Sequence, residues 1–92
     1  MTRGRKSIAK KLLEELEDEE ETENTYLVSY DFIEEKPHHR FWSNLREIIT
    51  DTGGERIQYS VYYGDRKGAK AVRELAMIYG ADVRWFVAIE LR

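Results

Sequence analysis

The sequence predicts one α+β domain, an antiparallel sheet with two helices on one face. Three observations carry that reading. Three stretches, 25–33, 56–64 and 81–92, are rich in β-branched and aromatic residues, as strands are. Two stripes of helical period lie between them: Phe41, Trp42, Leu45, Ile48 and Ile49, then Ala69, Val72, Leu75, Ala76 and Tyr79. Turn and cap signals, "EEKP", "DTGG", "GDRKG" and Gly80, separate the five segments. At 92 residues, one domain is the default.

Residues 1–24 read as a charged extension on a body of residues 25–92. Ile8, Leu12, Leu13 and Leu16 have helical spacing, which predicts a short amphipathic helix or a frayed segment. The run 14–23 is nearly all carboxylate, repels itself and prefers water. "TYLVSYDFI" then carries apolar residues on both alternate sets, as a central strand covered on both faces does. Pro37 suits the first turn of the next helix, with acidic Glu34 and Glu35 favourable near its N-terminus. Gly53 or Gly54 ends it.

"RIQYSVYYGD" follows. Ile57, Tyr59, Val61 and Tyr63 point one way; Gln58, Ser60, Tyr62 and Gly64 point the other. The second helix closes at Gly80. "ADVRWFVAIELR" alternates Val83, Trp85, Val87, Ile89 and Leu91 against Arg84, Phe86, Ala88 and Glu90, a last strand with one buried face. Crossover helices between strands pack together on one side of a sheet. The fold class is therefore a ferredoxin-like sandwich, provided that the middle strand region breaks into two short pieces or the hairpin is reduced. Its helix-free face carries Leu27, Ile33, Tyr62 and Phe86 beside Ser29, Asp31, Gln58 and Ser60. Such a mixed face calls for a partner, and a two-fold dimer with sheets facing would cover it.

Composition narrows the function. With no cysteine, disulfides and thiolate metal sites are excluded. No apolar run reaches the length of a membrane span, and the basic start lacks the apolar region of a secretory signal. A cytoplasmic protein that does not engage membranes is expected. The net charge of −3 belongs to the extension, since residues 1–24 hold five basic and eight acidic side chains and the remaining 68 residues hold ten of each. The body neither repels nor demands nucleic acid.

Asp31 stands out because it interrupts an apolar strand. Two roles are open to it. It caps the turn or pairs with Arg40 or Arg56, or two copies meet across a dimer axis and share a Mg²⁺ or Mn²⁺ ion that activates water for phosphodiester hydrolysis. His38 and His39 are neighbours on a helix start and face different ways, so they make a poor metal pair. His38 remains a candidate for phosphate contact or proton transfer. Arg66, Lys70 and Arg73 share a helix face, either a solvated ridge or a phosphate-contacting one. Tyr62 and Tyr63 either pack or stack on bases. No P-loop, dinucleotide fingerprint, zinc site or nucleophile triad is present.

"YLVSYD", a helix, and then "RIQYSVYYGD" resemble the small CRISPR-associated subunit of spacer acquisition, members of which are also described as metal-dependent endoribonucleases. The likeness spans residues 25–91, and its second block is the more specific one. The resemblance implies a ferredoxin-like homodimer in antiviral defence, with sheets facing. It places the metal on Asp31, holds Mg²⁺ or Mn²⁺ to be the cofactor, and gives Ser60 a supporting catalytic role. His38, Arg40, Arg56 and Tyr62 fall on or near its nucleic-acid positions, and Arg66, Lys70 and Arg73 would extend that surface along RNA or DNA. The alternative within the same resemblance is a non-catalytic adaptor that bridges duplex DNA and a larger integrase-like subunit.

Overall fold

The stretch RIQYSVYYGD breaks in two, and that break sets the topology. A computed structural model describes residues 6–20, 24–33 and 36–88. Its elements in chain order are α1 (Ile8–Glu15), β1 (Thr25–Asp31), α2 (His39–Thr52), β2 (Glu55–Gln58), β3 (Val61–Gly64), α3 (Arg66–Ile78) and β4 (Asp82–Ala88). The strands form a four-stranded sheet in the order β2-β3-β1-β4 with every neighbouring pair antiparallel. This is an α+β architecture, compatible with the ferredoxin-like sandwich. Among the described residues no helix is long and apolar enough to cross a membrane. The expected acidic lead-in Glu34–Glu35 and the expected core residues Ile89 and Leu91 lie outside the described residues.

Local chemistry explains where the elements start and stop. Ser7 caps α1 by accepting from the Lys10 N–H, and Asp65 caps α3 by accepting from the Gly68 N–H at 2.7 Å. His38, not an acidic residue, caps α2: its Nδ1 accepts from the Arg40 N–H at 3.1 Å. Pro37 precedes that cap rather than sitting inside the helix. Gly53, at φ 76°, ends α2. After α3 the chain closes with paired bonds from Gly80 N–H to Met77 C=O and from Ala81 N–H to Ala76 C=O, which cap its last carbonyls.

The core lies between the sheet and the helices. Tyr26, Val28 and Tyr30 of β1 face Phe41, Leu45 and Ile48 of α2 and Ala69, Val72 and Leu75 of α3, all buried. β1 is central in the sheet, yet only this alternate set is covered; Leu27 and Ser29 are half-exposed. Within one protomer, therefore, the helices cover only one of the two faces expected to be covered. Tyr62 requires a second correction. It pairs with Val28 across the β1–β3 ladder and is fully buried on the helix side. A two-residue turn at Tyr59–Ser60 and a bulge between Arg56 and Gln58 change the phase that a single strand would keep. The helix-free face therefore carries Leu27, Ser29, Val61, Tyr63, Arg84 and Phe86.

α1 joins this core rather than fraying from it. Ala9, Leu12 and Leu13 are buried in the same cluster. Asn44 of α2 ties the helix down: its Oδ1 accepts from the Ala9 N–H at 2.8 Å while its Nδ2 donates to the Arg40 carbonyl at 2.7 Å. Ser7 also donates to the Glu47 carboxylate at 2.9 Å. Asn44→Ala leaves a buried N–H unpaired, so a loss of about 1–3 kcal/mol is expected. Urea unfolding measures it, and amide exchange at Ala9 places it; an unchanged midpoint with protected Ala9 would show that apolar packing alone docks α1.

Candidate functional site

β1 delivers two consecutive side chains to opposite faces at its end. Tyr30 points inward and is almost fully buried, while Asp31 points outward and is exposed. The Tyr30 N–H donates to the Ser60 carbonyl at 3.0 Å, and its hydroxyl donates to the Tyr59 carbonyl at 3.3 Å. Burial pushes the Tyr30 hydroxyl up to about 12, so it remains a proton donor throughout the neutral range. These two bonds pin the β2–β3 turn against the end of β1. Asp31 and Ser60 thereby line one open cleft with Lys36, Pro37, Trp42 and Tyr59.

Trp42 and Tyr59 of that cleft cluster with Arg56 beside it. The Trp42 and Tyr59 ring centroids are 5.0 Å apart with planes tilted by 49°. The Arg56 guanidinium lies 5.2 Å from the Trp42 centroid and 5.7 Å from that of Tyr59, a cation resting on two aromatic faces. On the other flank, a neighbouring cleft shares Lys36 and Pro37 and adds His38, Tyr79 and Asp82. Asp82 is the direct cross-strand partner of Asp31. Two carboxylates opposite each other repel, and a cation between them relieves that cost.

The Asp31 carboxylate makes no hydrogen bond or ion pair with any described residue. Of the two roles open to it from sequence, pairing with Arg40 or Arg56 does not occur. Arg56 is committed to the aromatic stack. Arg40 lies along another cleft, with Lys6, Ser7, Lys11 and Glu47. Among the described residues no group of three or more His, Asp or Glu side chains is gathered for a metal ion.

The α3 ridge is not free. Glu19, beyond α1, accepts from Arg66 Nε at 2.7 Å and from Lys70 Nζ at 2.6 Å. Arg66 also reaches the Tyr26 hydroxyl at 3.5 Å, at the opposite end of β1 from Asp31. Arg73 lies over the Trp85 ring at 4.6 Å, with its Nε buried and without a hydrogen-bond partner among the described residues. Of the row Arg66, Lys70 and Arg73, the first two are paired with Glu19 and the third lies over Trp85, while all three keep part of their surface in water. Tyr62 is corrected as a base-stacking residue, since a buried ring has no face to offer.

Lys70 and Arg66 together hold the Glu19 carboxyl below its ordinary value of 4.5. A lowered carboxyl contributes stability in full above the ordinary value and loses it as pH falls through the folded value. The docked segment around Glu19 should therefore loosen as the solution is acidified below that ordinary value, which an NMR titration of its side chain would follow. Glu19→Gln also releases two cations, so the variant should leave a heparin column at higher salt than the parent. Unchanged elution would mean that the α3 row takes no part in polyanion binding.

Trp42, Tyr59, Lys36 and Asp82 are the site residues that the sequence did not single out. A tryptophan in an amphipathic stripe and a tyrosine in a strand both read as core. Only the turn that interrupts the strand exposes Tyr59. Comparison with protein-family models, with curated proteins and with solved structures finds no match to the chain.

Proposed function

We propose that this chain is a nucleic-acid-binding protein of the spacer-acquisition CRISPR-associated type, acting in the cytoplasm as a homodimer with metal-dependent phosphodiesterase activity on RNA or DNA. The observation that carries the proposal is Asp31: an exposed carboxylate, unpaired among the described residues, held beside Ser60 at the rigid end of the central strand. The donor chemistry fits the implied ion, because Asp31 and its cross-strand partner Asp82 offer hard oxygen ligands to Mg²⁺ or Mn²⁺. When bound, such an ion supplies Lewis-acid polarisation of a phosphoryl oxygen and a water acidic enough to attack it.

The chain's own residues would do the rest. Asp31 of each protomer would face the other across a two-fold axis, supplying the ligands that one protomer lacks. The half-exposed row Leu27, Val61, Tyr63 and Phe86 supports that pairing, because an apolar sheet face gains by burial against its own copy. Lys36 and Arg56 would hold phosphate oxygens, and the Ser60 hydroxyl would orient the scissile group from the cleft wall. His38 stands at the cleft flank, with its Nδ1 engaged in capping and its Nε2 left for a phosphate.

The adaptor reading places duplex DNA along the α3 row and has a larger integrase-like partner. Glu19 pairs with two cations of that row and offsets one of their two charges, which favours the cleft over the ridge. The test is cleavage of labelled RNA and DNA in Mg²⁺ and Mn²⁺, with sizing of the same sample. Turnover by a dimer that stops on chelation supports the catalytic proposal. Salt-dependent duplex binding without turnover transfers support to the adaptor.

A further inference from the structure

We infer that Trp42, Tyr59 and Arg56 form a platform for one unpaired nucleobase, so that the preferred ligand of the cleft is single-stranded nucleic acid. This rests on the nucleic-acid reading above and narrows its substrate class. Tyr59 is 70% exposed, yet it is not a loose surface ring. Its carbonyl is held by the Tyr30 hydroxyl and the next residue's carbonyl by the Tyr30 N–H, so the turn that presents it is fixed to the core strand. Trp42 backs it at 5.0 Å and Arg56 lies against both rings. An aromatic presented in one orientation gives up little entropy when a ligand stacks on it.

The spacing states where the base goes. A base between two rings needs a stacking gap of about 3.5 Å on each side, about 7 Å in all. The Trp42–Tyr59 separation of 5.0 Å is shorter than that. The receiving surface is therefore the outer face of Tyr59, with Trp42 as its support and the Arg56 charge attracting the phosphate beside it. Stacking needs the flat face of a base, and duplexes hide those faces between neighbours. Lys36 and Asp31 in the adjoining cleft put the next phosphate beside the carboxylate. A wholly apolar protein ligand would find these charges costly to cover.

The test uses the full chain with fluorescein-labelled oligo(U), oligo(dT) and a duplex of equal length, followed by anisotropy and by tryptophan emission. Single strands should bind more tightly than the duplex and quench tryptophan emission saturably. The quench should disappear in Trp42→Phe. Tyr59→Ala should weaken single-strand binding by roughly 5- to 150-fold and collapse the preference over duplex, while Tyr59→Phe keeps it. Equal affinity of Tyr59→Ala and parent for single strands, or quenching that persists in Trp42→Phe, overturns the platform while leaving the nucleic-acid reading standing. A parent that binds neither form overturns both. A Tyr59→Ala variant that dissociates a dimer assigns the ring to a protein interface instead.

Discussion

On the proposed phosphodiesterase reading, Asp31→Asn should cut metal-dependent cleavage steeply while leaving the fold as stable as the parent's. Asp31 is exposed and unpaired among the described residues, so its replacement should change stability by no more than about 0.5 kcal/mol. Its place opposite Asp82 makes even a slight gain reasonable, since one of two facing charges is removed. The catalytic effect is of another order. Metal-based stabilisation of developing charge is worth several kcal/mol, and each 1.4 kcal/mol is tenfold in rate, so a loss of about a thousandfold is expected. Initial rates in Mg²⁺, paired with thermal unfolding of the same preparation, read both quantities. Because the fold is unaffected, a rate loss could not be ascribed to misfolding. A variant that cleaves at the parental rate would remove Asp31 from the chemistry.

Tyr62→Ala should have the largest effect on stability. The ring is fully buried between sheet and helices, and its hydroxyl shares a hydrogen bond of 3.0 Å with Thr52 Oγ1. Removing a buried aromatic ring costs about 3–5 kcal/mol, a large part of what a small domain possesses. The melting temperature should fall by about 15 °C or more. Gly54, Gly64 and Gly68 enclose the ring, and a Cβ at any of them would fall on its hydroxyl end. This reverses a familiar sign. Gly→Ala inside a helix ordinarily stabilises by about 1 kcal/mol. Gly68→Ala should instead destabilise by about 1–3 kcal/mol, because the buried ring has nowhere to retreat. Tyr62→Phe removes the nearest atom, so Gly68→Ala should cost less in that background. A double-mutant cycle by urea unfolding measures the coupling, and additive losses would show that the ring adapts.

Gly68 also bears on how the site is built. The same ring that holds the α2 end and the α3 start against β3 fixes where β3 begins. β3 in turn sets the Tyr59–Ser60 turn beside Asp31. A destabilised Tyr62 pocket should therefore disturb the cleft before it disturbs α1, whose anchors are Asn44 and Glu47.

The element boundaries were legible in the residues because their causes are local. Periodicity marked α2 and α3, the "GDRKG" turn and Gly53 or Gly54 bracketed their ends, and "YLVSYD" declared a strand within a few residues. Asp31 was legible for the same reason: an aspartate that ends an apolar strand is conspicuous without any partner. The condition attached to the fold, a middle stretch broken in two, needed no long-range knowledge to state, only to decide.

What the tertiary structure alone decided involves residues far apart in sequence. The face taken by Tyr62 depended on one turn and one bulge, and a strand's phase reverses with a single extra residue. Glu19 meets Arg66 and Lys70 from 47 and 51 residues away, which ties two cations of the α3 ridge to the segment that follows α1. Trp42, Arg56 and Tyr59 come together from a helix, an edge strand and a turn. Side-chain type and spacing state what a segment is able to form; only packing states which face is left to water, and the candidate site here is made of the faces that packing left exposed.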